Sequence, residues 1–136
     1  MCPDVDPAAV VDRMWKLTGE QTARAYLKHM DRDRPLAPQV AASIVWSSQC
    51  MGEAASLEPG ASEDEAFVRH ADCPWFHWHE RLGLLAEDRP GCDRWFQSTV
   101  EAINAELGSR IAVETVESLP EGQCSCLRRF WSRSDD

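Results

Sequence analysis

The sequence predicts an α+β fold, with N-terminal helices packed on a C-terminal antiparallel sheet that carries two further helices. Three observations point there. Residues 1–58 repeat apolar side chains at helical spacing. "EAFVRHAD" alternates along a strand. The C-terminal stretch holds two extended runs around a turn with Pro120 and Gly122. A chain of 136 residues is long enough to bury one core without staples, so a single domain over 1–136 is expected, with a helical part at 1–58 and an α+β part at 64–131.

Each element follows from local chemistry. "DPAAVVDRMWKL" reads as a helix with Asp6 as N-cap and Pro7 at its first position, and it places Val10 or Val11, Met14 and Leu17 on one side. Gly19 is expected to interrupt it. "EQTARAYLKHM" resumes helical composition, and the prolines of "DRDRPLAP" end it, because a residue before proline is driven out of helical angles. A third helix is expected over about 38–56, with Val40, Ile44, Ser47, Met51 and Ala54 at helical spacing. "EPGASEDE" reads as an acidic linker.

"EAFVRHAD" alternates Phe67, Arg69 and Ala71 against Ala66, Val68 and His70, as a half-buried strand does. "CPWFHWHERLG" reads as a short helix stopped by Gly83. "CDRWFQSTVEAINAELGSR" reads as a longer one that buries Phe96, Val100, Ile103 and Leu107 and stops at Gly108. "RIAVETVESL" and "CSCLRRFW" then form an antiparallel hairpin.

Composition narrows the partners. A net charge of −9 repels a phosphate backbone, and the basic residues gather only around Arg128, Arg129 and Arg133, so nucleic acid is not an expected partner. No basic leader precedes an apolar stretch and no window is apolar enough to span a membrane, so a cytoplasmic protein with no membrane partner is expected. A small-molecule ligand or substrate and a homodimer fit these constraints.

Six cysteines in a reducing compartment point to packing, metal ligation or redox chemistry before disulfides. Cys124 and Cys126 are two apart on an expected strand and so face the same way, about 7 Å apart at Cα. Two thiols make half a metal site; Cys92, Cys73, Glu114 or Glu117 could complete it. Cys73 and Cys92 sit where helices are expected to start, and the helix dipole there favours thiolate. Taken singly, each cysteine also reads as a buried packing residue. Cys2 reads as a tail thiol and Cys50 as a helix-packing residue.

"HWHE" lacks the four-residue histidine spacing of a helical zinc motif. His77 and Arg81 read as a solvated face, His79 as able to reach a cleft, His70 as structural and His29 as exposed. Trp75, Trp78 and Trp95 could wall a pocket for a flat ligand or simply fill core. Arg128 and Arg129 face opposite ways on the last strand, and one of them could anchor a ligand carboxylate.

The runs "DCPWFHWHERLG", "GCDRWF" and "ETVESLPEGQCSCLRRF" resemble the L-2-amino-thiazoline-4-carboxylic acid hydrolase-like family. The resemblance spans about 64–131 and falls on Cys73, Cys92, Glu114, Ser118, Gly122 and Cys126. Trp95 stands where that pattern has an acidic residue. The chain is more distantly similar to the 4-vinyl reductase-type domains, in which cysteines and a glutamate hold zinc beside a small-molecule pocket. That similarity implies Cys92, Glu114 and Cys126 as metal ligands, with Cys124 replacing a cysteine where this chain has Glu117. The resemblance implies a hydrolase opening a cyclic amidine-type C–N bond, with Cys73, Cys92 and His79 as catalytic groups and zinc as cofactor; the cysteine spacing also admits an iron–sulfur cluster. The alternatives are a non-catalytic, metal-containing small-molecule-binding module and an interaction domain whose cysteines are all packing.

Overall fold

A computed structural model describes residues 4–134. The described residues form an α+β domain of four helices and a four-stranded antiparallel sheet, with the strand order β1-β2-β4-β3. Helix α1 spans Pro7–Leu27, α2 Leu36–Cys50, α3 Pro74–Leu82 and α4 Leu85–Leu107. The strands are β1 Ala54–Pro59, β2 Glu65–Asp72, β3 Ile111–Glu117 and β4 Cys126–Ser132. Cys2 lies outside the described residues.

Asp6 caps α1 by accepting the Ala8 N–H at 3.0 Å, ahead of Pro7. The helix does not break at Gly19. It runs on to Leu27 because Gly19 is the point at which α4 approaches: a Cβ there would lie 2.7 Å from both Ser98 Cβ and the Trp95 carbonyl oxygen. Gly91 does the same for α4, since a Cβ on it would lie 2.6 Å from Trp15 Nε1. The two glycines trade helix propensity for close packing. In consequence α1 buries Gly19, Ala23 and Tyr26 and leaves Val10, Val11, Met14 and Leu17 exposed.

Helix α2 ends at Cys50, earlier than its periodicity suggests. The positive φ of Gly52 turns the chain, and Ala54–Pro59 becomes an edge strand whose register with β2 runs from Ala54↔Asp72 to Pro59↔Ala66. The "EPGASEDE" stretch is therefore half strand and half turn. Helix α4 begins seven residues before Cys92, where the sequence places its start, and takes Pro90 and Gly91 into its interior. Pro90 is the sixth residue of α4, past the first turn, so the helix gives up the bond that an N–H there would make to the Ala86 carbonyl.

On the covered face of the sheet, Ala66, Val68 and His70 of β2 pair directly with Phe130, Arg128 and Cys126 of β4. Residues opposite one another on paired strands share a face. Here they meet Ile44, Val40, Phe96, Val100 and Ile103 in the core. The other face carries ion pairs, Arg69 with Glu58 and Glu117, and Arg129 with Glu65 and Glu114.

Candidate functional site

The junction of α3 and α4 gathers most of the groups singled out from the sequence. Cys73 is the N-cap of α3, and Gly83 ends that helix in a left-handed conformation. His79 donates from Nδ1 to Asp88 Oδ2 at 2.6 Å, and the Cys92 thiol lies 3.9 Å from Asp88 Oδ1. Asp88 is 3% exposed. The carboxylate thus stands between the imidazole and the thiol, whereas nucleophilic catalysis needs the base against the thiol.

Burial pushes the Cys92 thiol up to about 12, with Arg128 opposing and Asp88, Cys73 and Cys126 adding to the rise. Cys92 is the eighth residue of α4 and lies beyond the reach of the dipole, which acts within the first turn. Burial also raises Cys73, although the Phe76 and Trp75 backbone N–H groups pull the other way. These thiols are protonated, the opposite of the thiolates expected from helix starts.

The expected metal centre does not form. Cys124 precedes β4 and is exposed, while Cys126 is buried and accepts the Leu119 N–H at 3.3 Å, so the pair does not share a strand face. Glu114 pairs with Arg129 in register and by a 3.3 Å ion pair, on the face opposite Arg128 and Cys126. Glu117 is likewise held on that outer face by Arg69 and Ser125. Among the described residues no group of three or more His, Cys, Asp or Glu is placed to hold a metal ion. This overturns the cysteine-cluster and zinc expectations.

The tryptophans disperse. Trp75 meets Trp15 edge to face at 5.6 Å, Trp95 meets Phe96 at 4.8 Å against the core, and exposed Trp78 lies under Arg81 at 5.0 Å. His77 is exposed and bonds to Asp72. Two adjoining clefts flank the first half of α4 instead. One, of about 560 Å³, lies between α1 and α4 and includes Val11, Trp15, Pro90 and Gly91, with Asp6, Asp12 and Glu87 as its acids and Arg94 as its cation. The other, of about 400 Å³, runs between α4 and β3 and includes Phe96, Val113 and Thr115.

Sequence reasoning singled out His70 and Arg128 but missed how deeply both are buried on the covered face of the sheet and what surrounds them. His70 Nε2 lies 3.0 Å from Ser48 Oγ and 3.3 Å from Glu53 Oε2, while His70 Nδ1 is buried without a hydrogen-bond partner. Arg128 is 4% exposed, its Nε and the Ser118 hydroxyl are buried without partners, and its guanidinium carbon sits 4.4 Å from the Phe96 ring centroid. Cation–π attraction offers about 2 kcal/mol when desolvated. Removing an ion from water costs several kcal/mol, so the ring alone does not offset the burial. The signal was present in the alternation Cys126, Arg128, Phe130, which puts a guanidinium on a face otherwise marked as core.

No family model matches this chain, and no curated protein matches it. Solved structures do. A trafficking protein particle complex subunit 3 from Naegleria fowleri, covalently bound to palmitic acid, is 15% identical with a TM-score of 0.59; the alignment covers 95% of this chain and 83% of that one. At this identity the likeness concerns the fold. With a trafficking subunit as structural neighbour and no metal-holding group among the described residues, the hydrolase-like expectation is corrected along with the zinc and the cysteine cluster.

Proposed function

We propose that this protein is a non-catalytic binding module that takes a small aromatic or apolar molecule, neutral or positively charged, in the cleft between α1 and α4. The cleft carries the reading. Its volume of about 560 Å³ falls in the range of small-ligand sites, an indole forms part of its wall, and three carboxylates outnumber one guanidinium at its edge. Apolar walls supply affinity and the acidic edge selects charge. The palmitic acid carried by the trafficking subunit is in keeping with an apolar guest for this fold.

The test is a calorimetric titration with 1-naphthylmethylammonium, 1-naphthylmethanol and 1-naphthoate, run on wild type and Trp15→Ala. The cation and the alcohol are expected to bind, and Trp15→Ala to weaken both about tenfold, the scale of one lost aromatic contact. Absence of binding at millimolar probe, or an unchanged affinity in Trp15→Ala, would refute the cleft.

A second observation favours a role as an assembly subunit. Val10, Met14 and Leu17 alternate at spacings of four and three along the exposed side of α1, the pattern of a two-helix seam. An antiparallel copy of α1 would set Met14 against the partner copy's Leu17 and bring Arg13 toward its Glu20. This charge complementarity commits the seam to a second copy of the chain.

A further inference from the structure

We infer that Arg128 anchors a second site, separate from the α1–α4 cleft, for the carboxylate of a small monoanionic organic acid. Four other arginines, Arg69, Arg89, Arg94 and Arg129, each have a carboxylate within salt-bridge distance and side chains 32% to 36% exposed. Arg128 reverses that pattern: it is buried, and no carboxylate lies within salt-bridge distance among the described residues. A guanidinium in a protein stays charged, so burial does not neutralise it.

Carboxylates of the surrounding elements are already engaged, Glu53 by His70 among them. Asp88 accepts from His79 and Cys92, and Asp93 accepts from Thr115 and Arg89. Cys92 feels Arg128, but burial keeps its thiol protonated and therefore neutral. Glu114 and Glu117 are committed on the opposite face of the sheet.

Further unpartnered polar atoms belong to the elements beside this stretch of β4. Cys126, two residues along β4 on the same face, pairs with His70 and accepts the N–H of the residue after Ser118. His70 Nδ1 and Ser118 Oγ, both buried and both without partners, therefore flank the strand that carries Arg128 Nε. A planar carboxylate matches the guanidinium fork in two parallel hydrogen bonds, and a hydroxyl can supply a third.

The 400 Å³ cleft between α4 and β3 lies beside this position: its lining includes Phe96 and Thr115 but not Arg128 itself. Phe96 stacks on the guanidinium and Thr115 is its cross-strand neighbour. Asp12, Asp93 and Glu114 line that cleft together with Arg94, a net negative lining that disfavours a polyanion such as phosphate more than a monoanion.

The test uses benzoate as probe, with benzamide and benzylamine as its neutral and cationic counterparts, on wild type, Arg128→Met and Arg128→Lys. In ¹⁵N-arginine-labelled wild type, the Arg128 Nε–H resonance, assigned by its loss in Arg128→Lys, is expected to move with benzoate and stay put with the other two. Arg128→Met is expected to bind benzoate about tenfold to hundredfold more weakly, the cost of a charge-assisted pair. Without ligand it should melt at a higher temperature than wild type, because an apolar side chain of similar length replaces an unpaired buried charge. A silent Nε resonance would mean that water alone solvates the guanidinium and would overturn the proposal, as would equal benzoate affinity in Arg128→Met. Because the naphthyl titration reads Trp15 and this one reads Arg128, either site can fail while the other stands.

Discussion

Glu53 closes the turn between α2 and β1, and its carboxyl lies below the ordinary value of 4.5 mainly because His70 donates to it, against the opposing effect of burial. In the window between the lowered native value and 4.5 the unfolded chain binds more protons than the native one, so stability rises with pH there. The contribution is complete above the unfolded value and is lost as pH falls through the folded one. Urea midpoints measured from about pH 5 down to about pH 3 should therefore fall, and fall less steeply in Glu53→Gln. Equal slopes in the two proteins would remove Glu53 from the acid response. His70 was legible as structural from its place in an alternating strand. Its partners were not, because Ser48 and Glu53 come from another element and sequence periodicity carries no cross-element pairing.

Helix α1 and helix α4 approach through two glycines rather than through a leucine stripe. A methyl group at Gly19 meets the Trp95 carbonyl oxygen and Ser98 Cβ at 2.7 Å, so a backbone atom would have to move. Overpacking of this kind costs about 1–3 kcal/mol, partly offset by up to about 1 kcal/mol of helix propensity gained over glycine. Gly19→Ala is expected to destabilise the protein by about 1 kcal/mol net, read as a lower urea midpoint at unchanged slope. A stabilised variant would mean that α1 and α4 do not pack through this contact. The same geometry explains why Gly19 misleads as a local breaker. A breaker is defined by intrinsic preference, and here tertiary contact between two helices outweighs about 1 kcal/mol per glycine.

Across the whole molecule, the helices stack in order on one face of the sheet. The covered face of the sheet is closed by α2 and α4, α1 lies outside α4, and the apolar side of α1 faces outward. If that side is a seam between two copies, light scattering should report a dimer, and Met14→Glu should report a monomer with an unchanged circular dichroism spectrum. A monomeric wild type would return the seam to solvent. No helix among the described residues is long and apolar enough to cross a membrane.

By itself the sequence determined the fold class, the caps at Asp6, Gly83 and Gly108, strand β2 with its two alternating sets, and the C-terminal hairpin. All of these rest on contacts within a few residues, where propensity and period act. Tertiary structure decided which face of α1 is buried, that residues 54–59 pair as an edge strand, and that Cys92, Glu114, Cys124 and Cys126 do not converge on a metal. It also left Arg128 buried without a carboxylate. Spacing fixes the direction of a side chain only once the strand's limits are known. Cys124 fell two residues before β4 begins at Cys126, and Glu114 fell on the outer face, so a short displacement in sequence became a separation across the sheet.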